Sequence, residues 1–146
     1  SDAWKSRVDD RVAVHDFPRA FGGRLDAAEL AEKQAAYPAV EHPVIRTHPE
    51  TGRTVLFVNR VFTRRFAEEH KIDEEETQNL LRELFSNIGR PEATCRFRWA
   101  PGSIAMWDNR VVQHCATADF WPHRRLMERV TILDYDHERR TPYFEE

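Results

Sequence analysis

The chain is poor in cysteine, carries little net charge and has no long apolar run, and each shortage closes off a class of protein. Only Cys95 and Cys115 occur among 146 residues, too few for a disulfide framework. With no secretion signal, both thiols are expected to be free. No apolar stretch approaches the roughly 18 to 20 residues that a membrane span requires, and the opening SDAWKSRVDD lacks the apolar core of a signal peptide. A cytoplasmic protein without membrane contact is the expectation. The formal net charge of −3 argues against a nucleic-acid binder held by a general positive field. Arginine is nevertheless dense at 90–98 and at 124–140, so any bound anion is expected to be small. No internal repeat or low-complexity segment is present.

What is there suits one domain with a modest core, at 40% hydrophobic and 32% charged residues. The chain starts at Ser1, in what reads as the middle of a helix-to-strand passage, and is expected to be a portion of a longer protein. The patterning predicts a short polar helix over 2–10 and a strand over 11–17, stopped at Pro18. GGRLDAAELAEKQAAYP predicts a surface helix ending before Pro38. HPVIRTHPETGRTVLFVN reads as a hairpin, with apolar runs at 44–45 and 55–58 around a turn-rich HPETG. IDEEETQNLLRELFSNIGRP is the clearest helix. Asp73 is its N-cap with Glu76 as capping-box partner, the first turn is acidic, and Leu80, Leu81, Leu84, Phe85 and Ile88 share one face. Gly89 and Pro91 end it. Beyond it, residues 96–133 read as successive strands broken at Pro101-Gly102 and Asp108-Asn109. The fold class expected is therefore α+β, mainly β, with the helix over 73–88 laid on the sheet through Leu81, Leu84 and Phe85.

The stretch WDNRVVQHCATADFWPHRRLMERVTI sets His114 ahead of an arginine cluster. Imidazole is a good ligand for Fe(II), Zn and Cu, yet a lone histidine is more often a satisfied core or edge residue. No second and third ligand stand at a spacing that suits a zinc hydrolase. Arg125 and Arg129 are four apart, so on one strand both side chains share a face. Turned inward, two guanidinium groups need anions; turned outward, they meet solvent or acids such as Asp119 and Glu128. Both readings stay open on the residues alone.

HPVIRTHPETGRTVLFVNRVFTRRF, then the helix, then RFRWAPGSIAMWDNRVVQHCATADFWPHRRLMERVTIL, resembles the C-terminal part of the taurine dioxygenase family. These are Fe(II)- and 2-oxoglutarate-dependent oxygenases that include alkylsulfate dioxygenases. The resemblance runs from about 14 to 133. It implies the C-terminal part of a double-stranded β-helix, or jelly-roll, with a flanking helix. It makes His114 the distal histidine of a 2-His-1-carboxylate iron site, Arg125 the holder of the far carboxylate of 2-oxoglutarate, and Arg129 the residue that grips a substrate sulfonate or sulfate. Phe62, in FVNRVF, matches an aromatic that lines the substrate pocket, although a plain core role is open to it. Trp107, Asp108 and Asn109 read as structural, closing the turn that aims the histidine segment. The implied partners are a small anionic substrate and O2, and a homo-oligomer is expected. The implied reaction oxidatively decarboxylates 2-oxoglutarate and hydroxylates the carbon beside the sulfonate or sulfate ester oxygen.

The chain also departs from that pattern. The family needs an earlier His-x-Asp, or His-x-Glu, and no His-x-Asp occurs here. His48-Pro49-Glu50 fits the looser form but falls in the hairpin turn, away from the metal site. The expectation is one domain over 1–146, missing the N-terminal half of the jelly-roll, with no catalytic residue of its own and inactive alone. An oxygenase completed by a longer protein, and a truncated non-catalytic binding or assembly module, are the two functions carried forward. The charged ending DYDHERRTPYFEE leaves its oligomer contacts open.

Overall fold

A computed structural model describes residues 5–16, 18 and 22–132. Strand β1 (Val12–His15) is followed by helix α1 (Ala27–Ala36), strands β2 (Val40–Pro43), β3 (Ile45–Thr47), β4 (Thr54–Leu56) and β5 (Thr63–Phe66), and helix α2 (Glu74–Ser86). The central strand β1 pairs antiparallel with β2 on one side and β5 on the other. Pro43 closes the edge strand β2, where a missing N–H costs no ladder bond in the sheet interior. Strands β3 and β4 form the expected hairpin, in register Ile45 to Leu56 and Thr47 to Thr54. Fully buried Val44 couples the two sheets: its N–H donates to Arg11 O at 2.8 Å and its carbonyl accepts from Phe57 N at 2.7 Å.

Helix α1 has the two-way capping box, Asp26 with Glu29, and buries no side chain, as expected of a surface helix. Helix α2 begins at Asp73, whose carboxylate accepts from Glu76 N at 2.8 Å. Its apolar face buries Leu80, Leu81 and Leu84, with Phe85 and Ile88 packed at the margin, against Val8, Ala13, Val44, Val58 and Phe66. At about 1.5–3 kcal/mol per fully buried aliphatic side chain, this face is the chief holder of the fold. The face and its residues were legible in the sequence.

Three expectations need correction. Of the helix expected over 2–10, residues 2–4 lie outside the described residues, Lys5 is helical and 6–10 form turns, so the helix does not run to Asp10. Strands β2 and β5 were not foreseen, the latter because TRRF buries only its ends, Thr63 and Phe66, around two exposed arginines. The larger correction concerns 96–132, which contains turns but no strand among the described residues. A strand exists only through ladder bonds to a neighbour, and β-prone side chains here meet no such neighbour. The mainly-β expectation is thus met only in part: among the described residues the strands are three or four residues long, and α1 and α2 exceed them. Leu133, Phe17 and the ending over 134–146 lie outside the described residues.

Candidate functional site

The hairpin turn and the WDNR segment meet, although their contacts are some 60 residues apart in sequence. His48, only 9% exposed, accepts at Nδ1 from Glu50 N at 3.3 Å and Thr51 N at 3.2 Å. Nδ1 also lies 3.3 Å from Glu50 Oε2, and Nε2 is in hydrogen-bond contact with Asp108 Oδ2 at 3.0 Å. Arg110 grips the same carboxylate, Nη2 to Oδ2 at 2.7 Å and Nε to Oδ1 at 3.0 Å, and reaches Glu50 Oε1 at 2.8 Å through Nη1. The Arg110 hydrogen bond, chiefly, holds the Asp108 carboxyl well below the usual carboxylate range, and it also lowers that of Glu50. Asp108 and Glu50 in turn raise the Arg110 guanidinium. A turn over 109–111 comes next, with Val112 N donating to Asp108 O at 3.0 Å. At its far end Gln113 Nε2 donates to Val58 O at 2.7 Å, and Gln113 Oε1 accepts from Asn59 Nδ2 at 3.1 Å.

His114 stands directly after this anchor. Its ring is exposed and lies 5.0 Å from that of Trp107, centroid to centroid. Neither ring nitrogen has a hydrogen-bond partner among the described residues, so the imidazole is open to a ligand. Arg125 is exposed, with its guanidinium carbon 5.7 Å from the centre of the Phe120 ring. Asp119, a candidate acid for the arginines, is taken by Arg96 at 2.8 Å and by the Thr117 hydroxyl at 2.6 Å. The Thr117 bond is the main cause of the lowered Asp119 carboxyl. Arg129 is exposed. Because 124–132 is not a strand, no shared strand face aligns the two arginines. His114, Arg125 and Arg129 make no hydrogen bond with one another among the described residues.

Phe62 lies elsewhere, on an open cleft of about 340 Å³ lined also by His15, Asp16, Tyr37, Val40 and His42. The Phe57 ring is stacked on His15 at 5.5 Å, meets the His42 ring edge at 5.0 Å and faces the Arg46 guanidinium at 4.2 Å. Burial, then His42 and Arg46, lowers His15 to about 4. Burial and Arg46 lower His42 to about 4. Both imidazoles are thus neutral at pH 7. The Thr63 hydroxyl accepts from Asn59 N at 2.8 Å and sits 3.0 Å from His15 Nε2, whereas His42 Nδ1 is buried with no partner among the described residues.

An iron site needs three protein ligands, and no group of three His, Cys, Asp or Glu side chains able to hold a metal occurs among the described residues. His114 is a single imidazole, and the described residues alone do not complete such a site.

Residues 1–131 match the family described as "Taurine catabolism dioxygenase TauD, TfdA family". The chain belongs to this family. It is 30% identical over 135 residues to an "Alkylsulfatase" of Acinetobacter baylyi, covering 88% of this chain and 41% of that one. Against an "Alpha-ketoglutarate-dependent sulfate ester dioxygenase" of Pseudomonas putida it is 34% identical over 116 residues, 74% of this chain and 36% of the relative. A crystal structure described as "a putative alpha-ketoglutarate dependent 2,4-D dioxygenase from Burkholderia xenovorans" superposes with a TM-score of 0.62 at 27% identity, over 76% of this chain and 42% of that one. The chain thus spans about two fifths of these family members or less. His48, Arg110 and Gln113 were missed as partners of the histidine segment. The only local signal was the Asp-x-Arg spacing in WDNR, since their partners are more than 50 residues away.

Proposed function

We propose that the whole protein is an Fe(II)- and 2-oxoglutarate-dependent dioxygenase that hydroxylates a small anionic substrate, a sulfonate such as taurine or an alkyl sulfate ester, using O2. In this reading the chain is one domain, the C-terminal part of a jelly-roll with α2 on its flank, and works within a cytoplasmic homo-oligomer. One observation carries it: the family match spans an exposed imidazole without a hydrogen-bond partner among the described residues, followed by two exposed arginines. His114 is one iron ligand, Arg125 binds the far carboxylate of 2-oxoglutarate, Arg129 binds the substrate anion, and Phe62 lines the pocket. Iron, when bound, supplies O2 activation coupled to decarboxylation of 2-oxoglutarate. The residues of this chain bind and orient. A guanidinium pairs a carboxylate or sulfonate through two parallel charge-assisted bonds, which an ammonium cannot imitate.

The test is made on the full-length protein, by succinate formed with sulfonates and sulfate esters. Removing one partner of a buried charge-assisted pair costs roughly 2 to 5 kcal/mol, about a 30-fold to several-thousand-fold change in affinity. Arg125→Ala should raise KM for 2-oxoglutarate by such a factor. Arg129→Ala should raise KM for the sulfonate or sulfate and leave 2-oxoglutarate within a few-fold, with Arg129→Lys recovering only part. Equal damage to both substrates by Arg129→Ala refutes the division of labour. The exposed apolar side chains Phe97, Trp99, Ile104 and Leu126 favour a second reading, a non-catalytic binding or assembly module. Partner binding without succinate formation by the full-length protein supports it.

A further inference from the structure

The segment 107–114 is a closed turn held at both ends on the hairpin and on the chain just after it. Its first end is fixed where His48 and Arg110 share the Asp108 carboxylate. Its last is fixed at Gln113, and the two neighbours of these anchors, Trp107 and His114, face each other with ring centroids 5.0 Å apart. The Gln113 amide meets one acceptor, Val58 O, and one donor, Asn59 Nδ2. Flipping the amide sets oxygen against oxygen and N–H against N–H, so its orientation is determined by its partners. Val58 is 1% exposed and belongs to the core, which makes its carbonyl a rigid anchor. Asn59 is itself pinned, its Oδ1 accepting from Val61 N at 2.7 Å. His114 has no hydrogen bond of its own among the described residues, so its direction is inherited from the residue before it.

We propose that Gln113 is a positioning residue that sets the His114 imidazole against Trp107 by tying the backbone ahead of it to Val58 and Asn59. The consequence for iron rests on the reading of His114 as a ligand; the positioning itself does not. The Asn59 bond is exposed and the Val58 bond part-buried, so their loss is expected to cost only about 1 kcal/mol, and geometry and stability can be separated. The test is NMR of the 146-residue chain, reading cross-peaks between the His114 and Trp107 rings beside a thermal melt. Gln113→Ala should lose those cross-peaks while the melting temperature falls by only a few degrees. Asn59→Asp, which keeps the acceptor for Val61 N and sets a carboxylate against Gln113 Oε1, should weaken them too. Should Gln113→Ala fail to fold, Asn59→Asp decides. Cross-peaks unchanged in a folded variant overturn the proposal. In the full-length protein Gln113→Ala should weaken Fe(II) binding about 10-fold, the low end for residues that orient a ligand. Lost cross-peaks in Gln113→Ala together with normal Fe(II) binding by His114→Ala would overturn the iron assignment and leave the positioning role standing.

Discussion

Residues 5–89 and 90–132 are both rich in large apolar side chains, yet they use them in opposite ways. Among the described residues every buried apolar side chain lies between Val8 and Leu84, whereas Ile104, Trp121, Val130 and Ile132 are exposed. The first region is held by packing, through α2 on the short strands. The second hangs on polar contacts: the His48–Asp108–Arg110–Glu50 cluster, Gln113 on Val58, and Arg96 on Asp119. Apolar content therefore does not make a core. Burial needs a facing surface, and strands need ladder partners.

The sharpest way to break this comparison is a matched pair of leucines. Leu80→Ala, at a fully buried position, should cost about 2–5 kcal/mol, read as a lower urea midpoint at unchanged slope. Leu126→Ala, 74% exposed, should stay within about 0.5 kcal/mol; comparable losses for the two would show that the second region is packed. Next comes the polar anchorage. His48→Ala should cost about 1.5–3 kcal/mol, the range for a hydrogen bond to a charged group, and should speed tryptic cleavage within 96–132. A stability loss without faster cleavage there would mean that His48 serves only its own turn. The smallest effect is a pH dependence confined to the first region. His15 and His42 are lowered to about 4 when folded and return to about 6.5 when unfolded. The unfolded chain therefore binds more protons between these values. Their contribution is complete above about pH 6.5 and lost as pH falls toward 4. After allowance for solvent screening it is about 1 kcal/mol each. Urea unfolding at pH 4.5 and pH 7 measures it, and the double variant His15→Phe, His42→Phe should flatten the difference.

The legible parts of the fold were those with a local cause. The apolar spacing from Leu80 to Ile88, the Asp73 cap and the HPETG turn each act within a few residues, and α2 and the hairpin lie where they were expected. Strand β5 escaped notice because Arg64 and Arg65 interrupt its pattern while β1 supplies its pairing. At the candidate site, His114, Arg125, Arg129 and Phe62 were marked by resemblance to a family. What orients the histidine segment was legible only in part: the turn at Trp107, Asp108 and Asn109 was expected, whereas the contacts with His48, Glu50 and Val58 pair residues more than 50 apart.

By itself the sequence determined where α2 starts, which of its faces is apolar, where the hairpin turns and which family the chain resembles, since these depend on neighbouring residues or on a matching pattern. Only the tertiary structure decided that Arg96 to Ile132 forms no strand, that His48 shares a carboxylate with Arg110, and that Gln113 is tied to Val58. The physical reason is common to all three: hydrogen bonds between distant segments exist only once the chain has brought a donor to an acceptor, and no local propensity encodes that meeting.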